Sequence, residues 1–189
     1  MDIEVEEDER VSIIRLTDAN EAVANSLRRT VLSKVPTLAV QHVDITVNES
    51  ALFDEMLAHR IGQVPFTVPD RVEEEDTVHV AVQQEGPGKL RAEDIKTDDD
   101  GIEPVNPEAV IATLKEGQSV ELEGEASLGR GREHAKHQGG TVGYEKVDNG
   151  EFLFRVESSS GYTNTELFEE AFEVLESELE SFEEEVKEL

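Results

Sequence analysis

The C-terminal segment constrains the fold more than any other stretch. Phe168, Phe172, Leu175, Leu179, Phe182, Val186 and Leu189 recur at alternating spacings of four and three, the interval that lines apolar side chains along one seam of an α-helix. Most of what lies between them is glutamate. Glutamates four apart on a helix repel by about a few tenths of a kcal/mol per pair, whereas burying each apolar side chain is worth about 1.5–3 kcal/mol before ordering costs. Burial outweighs repulsion only where something covers the stripe. Three coverings fit the pattern: the protein's own sheet, a helix of a second polypeptide, or a second copy of the same helix, the last opposed by like charge on both flanks.

Elements upstream of that helix follow from periodicity and caps. Ile3 and Val5, then Val11, Ile13 or Ile14, and Leu16 alternate with polar residues around the charged run Glu6 to Arg10, which predicts a β-hairpin. Asp18 with Glu21 three residues on reads as a capping box, opening a helix from about Ala19 to Lys34. Val23, Leu27 and Val31 fall on one stripe of it, and Pro36 ends it. Leu38 and Val40, then Val43, Ile45 and Val47, alternate with a change of phase near His42, the pattern of a strand with a bulge or bend.

From about residue 51 to residue 144 the character changes. Five of the six prolines and most glycines lie there, and the strand signals Val78-Val80-Val82 and Val120-Leu122 are short. A β-rich module is expected, opened by a short helix from Phe53 to Ile61. Phe152, Phe154 and Val156 then predict a strand, residues 158–162 a turn, and Thr163 with Glu166 a second capping box before the terminal helix.

Charge and composition exclude several classes. Val, Leu, Ile and Phe supply 52 of the 189 residues, enough to support a core despite the charge. The net charge of −28 argues against tracking a phosphate backbone, which requires clustered Lys and Arg, so any nucleic-acid role is indirect. Acidic residues are spread through every segment, as on a surface adapted to concentrated salt, where the Debye length falls to roughly 3 Å at 1 M. With no cysteine, disulfides, thiolate zinc sites and iron–sulfur clusters are excluded. No apolar run approaches the roughly 20 residues that span a bilayer. The acidic start Met1-Asp2-Ile3-Glu4 is unlike a signal peptide, so a soluble cytoplasmic protein is expected.

Two motifs invite enzymatic readings. The glycine-rich loop from Gly129 to Gly140 lacks the Gly-Lys-Ser/Thr ending of a phosphate-binding loop. His134 and His137 form H-x-x-H, which suggests a small metal-dependent hydrolase as an alternative, but two ligands are too few and no third is identifiable. Asp54, Glu55, His59 and Arg60 fall on the short helix, where mixed charge reads as a structural network more readily than as acid–base machinery. No catalytic residue, cofactor or metal is assigned. A second alternative is an acidic regulator that imitates DNA and binds basic proteins.

Three stretches share a resemblance: Ala24-Asn25-Ser26-Leu27-Arg28-Arg29-Thr30-Val31-Leu32-Ser33-Lys34-Val35-Pro36-Thr37-Leu38-Ala39-Val40, Asp54-Glu55-Met56-Leu57-Ala58-His59-Arg60-Ile61-Gly62-Gln63-Val64-Pro65, and Gly129-Arg130-Gly131-Arg132-Glu133-His134-Ala135-Lys136-His137-Gln138-Gly139-Gly140. In this order they resemble the D-subunit family of archaeal RNA polymerase, which is similar to the bacterial alpha subunit and to the third-largest subunit of eukaryotic RNA polymerase II.

The resemblance implies an α+β fold. A discontinuous dimerisation domain of antiparallel sheet plus two helices, residues 1–50 and 145–189, would hold an inserted β-rich domain, residues 51–144. It further implies a heterodimer interface with an L-type subunit made by Val23, Leu27, Val31, Phe168, Phe172, Leu175, Leu179, Phe182 and Val186. Asn25, Arg28 and Arg29 would face the large catalytic subunits. Arg130 and Arg132 would touch other polymerase subunits, the loop glycines letting backbone approach a neighbour. The function implied is that of a non-catalytic assembly subunit, with DNA reached only through the complex. Many D subunits carry a cysteine-containing cluster domain before the final strand; here Tyr144 is followed within a few residues by Phe152, so that domain is not expected.

Overall fold

A computed structural model describes residues 2–8, 10–69, 72–73 and 75–187. Glu9 of the expected first turn and Leu189 of the seam lie outside the described residues. In chain order the elements are β1 (Asp2–Glu6), β2 (Ser12–Thr17), α1 (Glu21–Ser33), β3 (Pro36–Asn48), α2 (Asp54–Gly62), β4 (Val78–Glu85), β5 (Gly88–Arg91), β6 (Lys96–Thr97), β7 (Val110–Leu114), β8 (Ser119–Arg130), β9 (Gly140–Asp148), β10 (Glu151–Ser158) and α3 (Asn164–Lys187). They gather into two compact units, residues 1–36 with 130–189, and residues 37–129.

The first unit is an antiparallel sheet in the order β1-β2-β10-β9 with two helices on it. Leu16 lies opposite Phe152 and Ile14 opposite Phe154, while Val156 faces Val142 across β9. Paired residues share a sheet face, so these side chains form one apolar layer, and all of them are buried. Of the two isoleucines on β2, Ile14 points into the core and Ile13 is half-buried. Leu27 and Val31 of α1 and Leu167, Phe168 and Ala171 of α3 close over that layer.

The caps divide into one as expected and one corrected. Thr163 N donates to Glu166 Oε2 at 2.8 Å and Glu166 N to Thr163 Oγ1 at 3.2 Å, the reciprocal box that starts α3. Helix α1 is capped instead by Asn20, whose Oδ1 accepts from Val23 N at 3.0 Å. Asp18 cannot serve because its backbone sits in the left-handed region, φ 55°, whereas an N-cap needs the extended backbone that Asn20 adopts, φ −118° and ψ 169°.

The second unit holds an antiparallel sheet ordered β3-β8-β4-β6, a β5-β7 ribbon and α2. Val78, Val80 and Val82 alternate inward, as do Val120 and Leu122, and α2 inserts Leu57 and Ile61 into the same core. Along β3, residues 37–40 are buried in succession and alternation resumes from Val43, so the change of phase falls at Gln41 and His42 within one continuous strand. The units divide after residues 36 and 129, earlier than the shifts in proline and glycine content near 50 and 144. Strand pairing sets the limits: β3 is hydrogen-bonded to β8, and β9 to β10. Sheets and helices together make a mixed α+β protein. Among the described residues, no helix is long and apolar enough to cross a membrane.

Candidate subunit interface

Helix α3 has two characters along one stripe. In its first turns Leu167, Phe168 and Ala171 are buried, and the Phe168 ring stands edge-on to Phe154 at 5.0 Å and to Phe172 at 5.4 Å. Phe172, Val174 and Leu175 are half-buried. From Glu176 to Lys187 every residue is exposed, including Leu179 at 59%, Phe182 at 64% and Val186 at 50%. The ion pair between the Lys34 ammonium and Glu178 ties this distal stretch to the end of α1.

The nine residues expected at a heterodimer interface therefore separate. Leu27, Val31 and Phe168 lie inside this unit's own core, with at most 2% of their surface open, so they have none to offer a partner. Spacing four apart on α1 turns Leu27 and Val31 to the sheet. Val23, Phe172 and Leu175 keep partial exposure, and Leu179, Phe182 and Val186 stand free.

On the other face of α1, Arg28 Nη2 donates to Asn25 Oδ1 at 3.1 Å. Among the described residues, neither Arg28 nor Arg29 pairs with a carboxylate, despite the acid around them.

The loop between β8 and β9 serves its own unit. Arg130 Nε donates to the Lys34 carbonyl at 3.1 Å, and Arg132 N to the Ser33 carbonyl at 3.1 Å. Both satisfy carbonyls left open where α1 ends. A Cβ at Gly131 would stand 2.4 Å from the Leu32 carbonyl oxygen, and one at Gly140 would stand 2.4 Å from that of Glu157. The glycines thus allow close approach to this chain's own helix and strand, correcting the expectation of approach to a neighbour. Arg130 is held by α1, while the Arg132 guanidinium is exposed, 3.9 Å from Glu133.

His134 and His137 are not brought to a shared site. His134 is exposed and its Nδ1 accepts from Lys136 N at 3.1 Å, whereas His137 is buried. Burial pulls the Lys136 ammonium below its ordinary value. On α2, Arg60 Nη1 donates to the Ile111 carbonyl and Asn48 Nδ2 to Asp54 Oδ1, each at 2.7 Å, while Glu55 and His59 are exposed.

Residues 43–149 match the RNA polymerase Rpb3/RpoA insert domain. A DNA-directed RNA polymerase subunit Rpo3 from Methanocaldococcus jannaschii is 34% identical over 159 residues, covering 84% of this chain and 82% of the relative. The chain belongs to this RNA polymerase subunit family. The Rpo3 subunit of Natronomonas pharaonis is 41% identical over 79% of this chain and 61% of its own length. That of Pyrococcus furiosus is 44% identical over 69% of this chain and 52% of its own. The chain thus spans about half to three-fifths of these last two relatives. The insert-domain match includes α2 and the glycine loop but neither α1 nor α3.

Sequence pattern missed two residues here. Lys34 reaches Glu178 across 144 positions, a separation that only the packing of α1 beside α3 closes. Asn20 carried a legible capping signal of its own, masked by Asp18 two residues earlier.

Proposed function

We propose that this chain is a non-catalytic assembly subunit of an archaeal DNA-directed RNA polymerase. It pairs with an L-type subunit, and the pair forms a platform for large subunits that supply the nucleotidyl-transfer chemistry. The carrying observation is the ridge of Leu179, Phe182 and Val186, half or more exposed on a helix whose remaining surface there is charged apart from Ser177 and Ser181. Covering such side chains gains about 1.5–3 kcal/mol each when burial is complete, a gain that no element of this unit collects. The Rpo3 names of the relatives support the polymerase assignment.

In this reading Val23, Phe172 and Leu175 extend the ridge toward the first unit's core. Asn25, Arg28, Arg29 and Arg132 meet other subunits, with arginine's planar, multiply donating group suited to carboxylate and carbonyl contacts. The scattered acidity supports a cytoplasm of high salt, with DNA reached only through the assembled enzyme.

Co-expression with an L-type subunit, read by light scattering after size exclusion, tests the proposal. Wild type is expected as a one-to-one complex, and Phe182→Asp as a folded but unpaired chain. Undiminished pairing in Phe182→Asp and Leu179→Asp overturns the choice of interface.

A further inference from the structure

The ridge of α3 is bordered by acid on both sides. With Leu175, Leu179, Phe182 and Val186 on the seam, the positions immediately beside it are Glu176 and Glu183 on one flank and Glu178 and Glu185 on the other. All four are exposed. Residues at these positions face the corresponding flanks of whatever helix lies along the seam and set which partner is accepted.

Two of the four already show what they attract. Glu178 meets the Lys34 ammonium from the end of α1. Glu183 lies 3.9 Å from Lys187, one turn along its own helix. No ion pair is made by Glu176 or Glu185 among the described residues.

We infer that the polypeptide covering this ridge presents an apolar stripe edged by lysines or arginines, and that the same glutamates prevent α3 from pairing with a second copy of itself. The inference rests on the proposed pairing and adds the partner's chemistry to it. In a self-paired helix each glutamate flank meets another, which sets like charges against each other in a partly dehydrated seam. The chain's net charge of −28 adds repulsion at longer range, strongest in dilute salt. A basic border reverses both effects while leaving the apolar gain intact. The ridge then supplies affinity and the glutamates supply choice.

Two arms test this, both at the lowest KCl concentration that retains the full helical signal and again in molar KCl. In the first, the complex with an L-type subunit is titrated for wild type and for the triple variant Glu176→Gln, Glu183→Gln, Glu185→Gln. Three exposed ion pairs lost should weaken binding roughly five- to ten-fold in the dilute buffer, the gap closing in molar KCl. Equal or tighter binding by the triple variant overturns the basic border, while a wild-type complex in the same experiment leaves the pairing itself standing. In the second arm, wild type is mixed with Glu176→Lys, Glu183→Lys, Glu185→Lys. The mixture is expected to form a one-to-one dimer that wild type alone does not form. Dimerisation of wild type alone in dilute buffer overturns the exclusion of self-pairing, whatever the first arm gives.

Discussion

Two phenylalanines on the same stripe should fail in opposite ways when truncated. Phe168 is 2% exposed and Phe182 is 64% exposed, although they sit fourteen residues apart on one seam. Phe168→Ala removes a ring packed against Phe154 and Phe172, and a large-to-small change in such a core costs about 3–5 kcal/mol. Phe182→Ala removes a ring that touches little within its own unit, so the stability of the isolated chain should change by no more than about 0.5 kcal/mol. Its cost appears on pairing. Covering the exposed two-thirds of a side chain worth about 1.5–3 kcal/mol on full burial gives about 1–2 kcal/mol, a fall in affinity of roughly five- to twenty-five-fold. Thermal melts of the isolated variants, with titration calorimetry against the L-type subunit, separate the two effects. A melt of Phe182→Ala depressed as far as that of Phe168→Ala would refute the division of the stripe.

Asn20→Ala should lose about 1 kcal/mol of stability, while Asp18→Gly loses none because glycine accepts the positive φ at that position; chemical denaturation of both variants checks this. Gly131→Ala should destabilise the first unit by about 1–3 kcal/mol, since its Cβ would collide with the Leu32 carbonyl, visible as a lowered melting temperature. Hydrogen bonds from Arg10 N and Val11 N hold the Asp8 carboxyl below its ordinary value. A depressed folded value means the contribution is complete above the unfolded value and is lost as pH falls through the folded one. Asp8→Asn should therefore flatten the acid end of the stability profile followed by urea midpoints against pH.

The sequence stated the seam but not its division, and the reason is physical. A spacing of four and three is the same whether a helix lies on its own sheet or on another chain, so Phe168 and Phe182 look alike until the sheet is in place. The helix cap was ambiguous for a related reason: Asp18 and Asn20 both carry a competent oxygen, and only the backbone angles decide between them. The strand faces of Leu16, Phe152, Phe154 and Val156 were legible because a two-residue period and one buried layer leave little freedom, whereas the choice between Ile13 and Ile14 stayed open until pairing with Phe154 turned Ile14 inward. The loop glycines were legible as sites of close approach, yet what they approach, the carbonyls of Leu32 and Glu157, depends on contacts between distant segments. The limits of the two units were hidden because proline and glycine content follows turns, whereas the limits follow strand pairing.

Amide hydrogen exchange across residues 176–187, in the isolated chain and in the presence of saturating L-type subunit, addresses most directly whether a second polypeptide covers the distal ridge. About three turns of helix with no buried side chain, tied back by the Lys34–Glu178 ion pair, are marginal in water, so the account predicts fast exchange alone and strong protection in the complex. Protection that is the same in both states would contradict it.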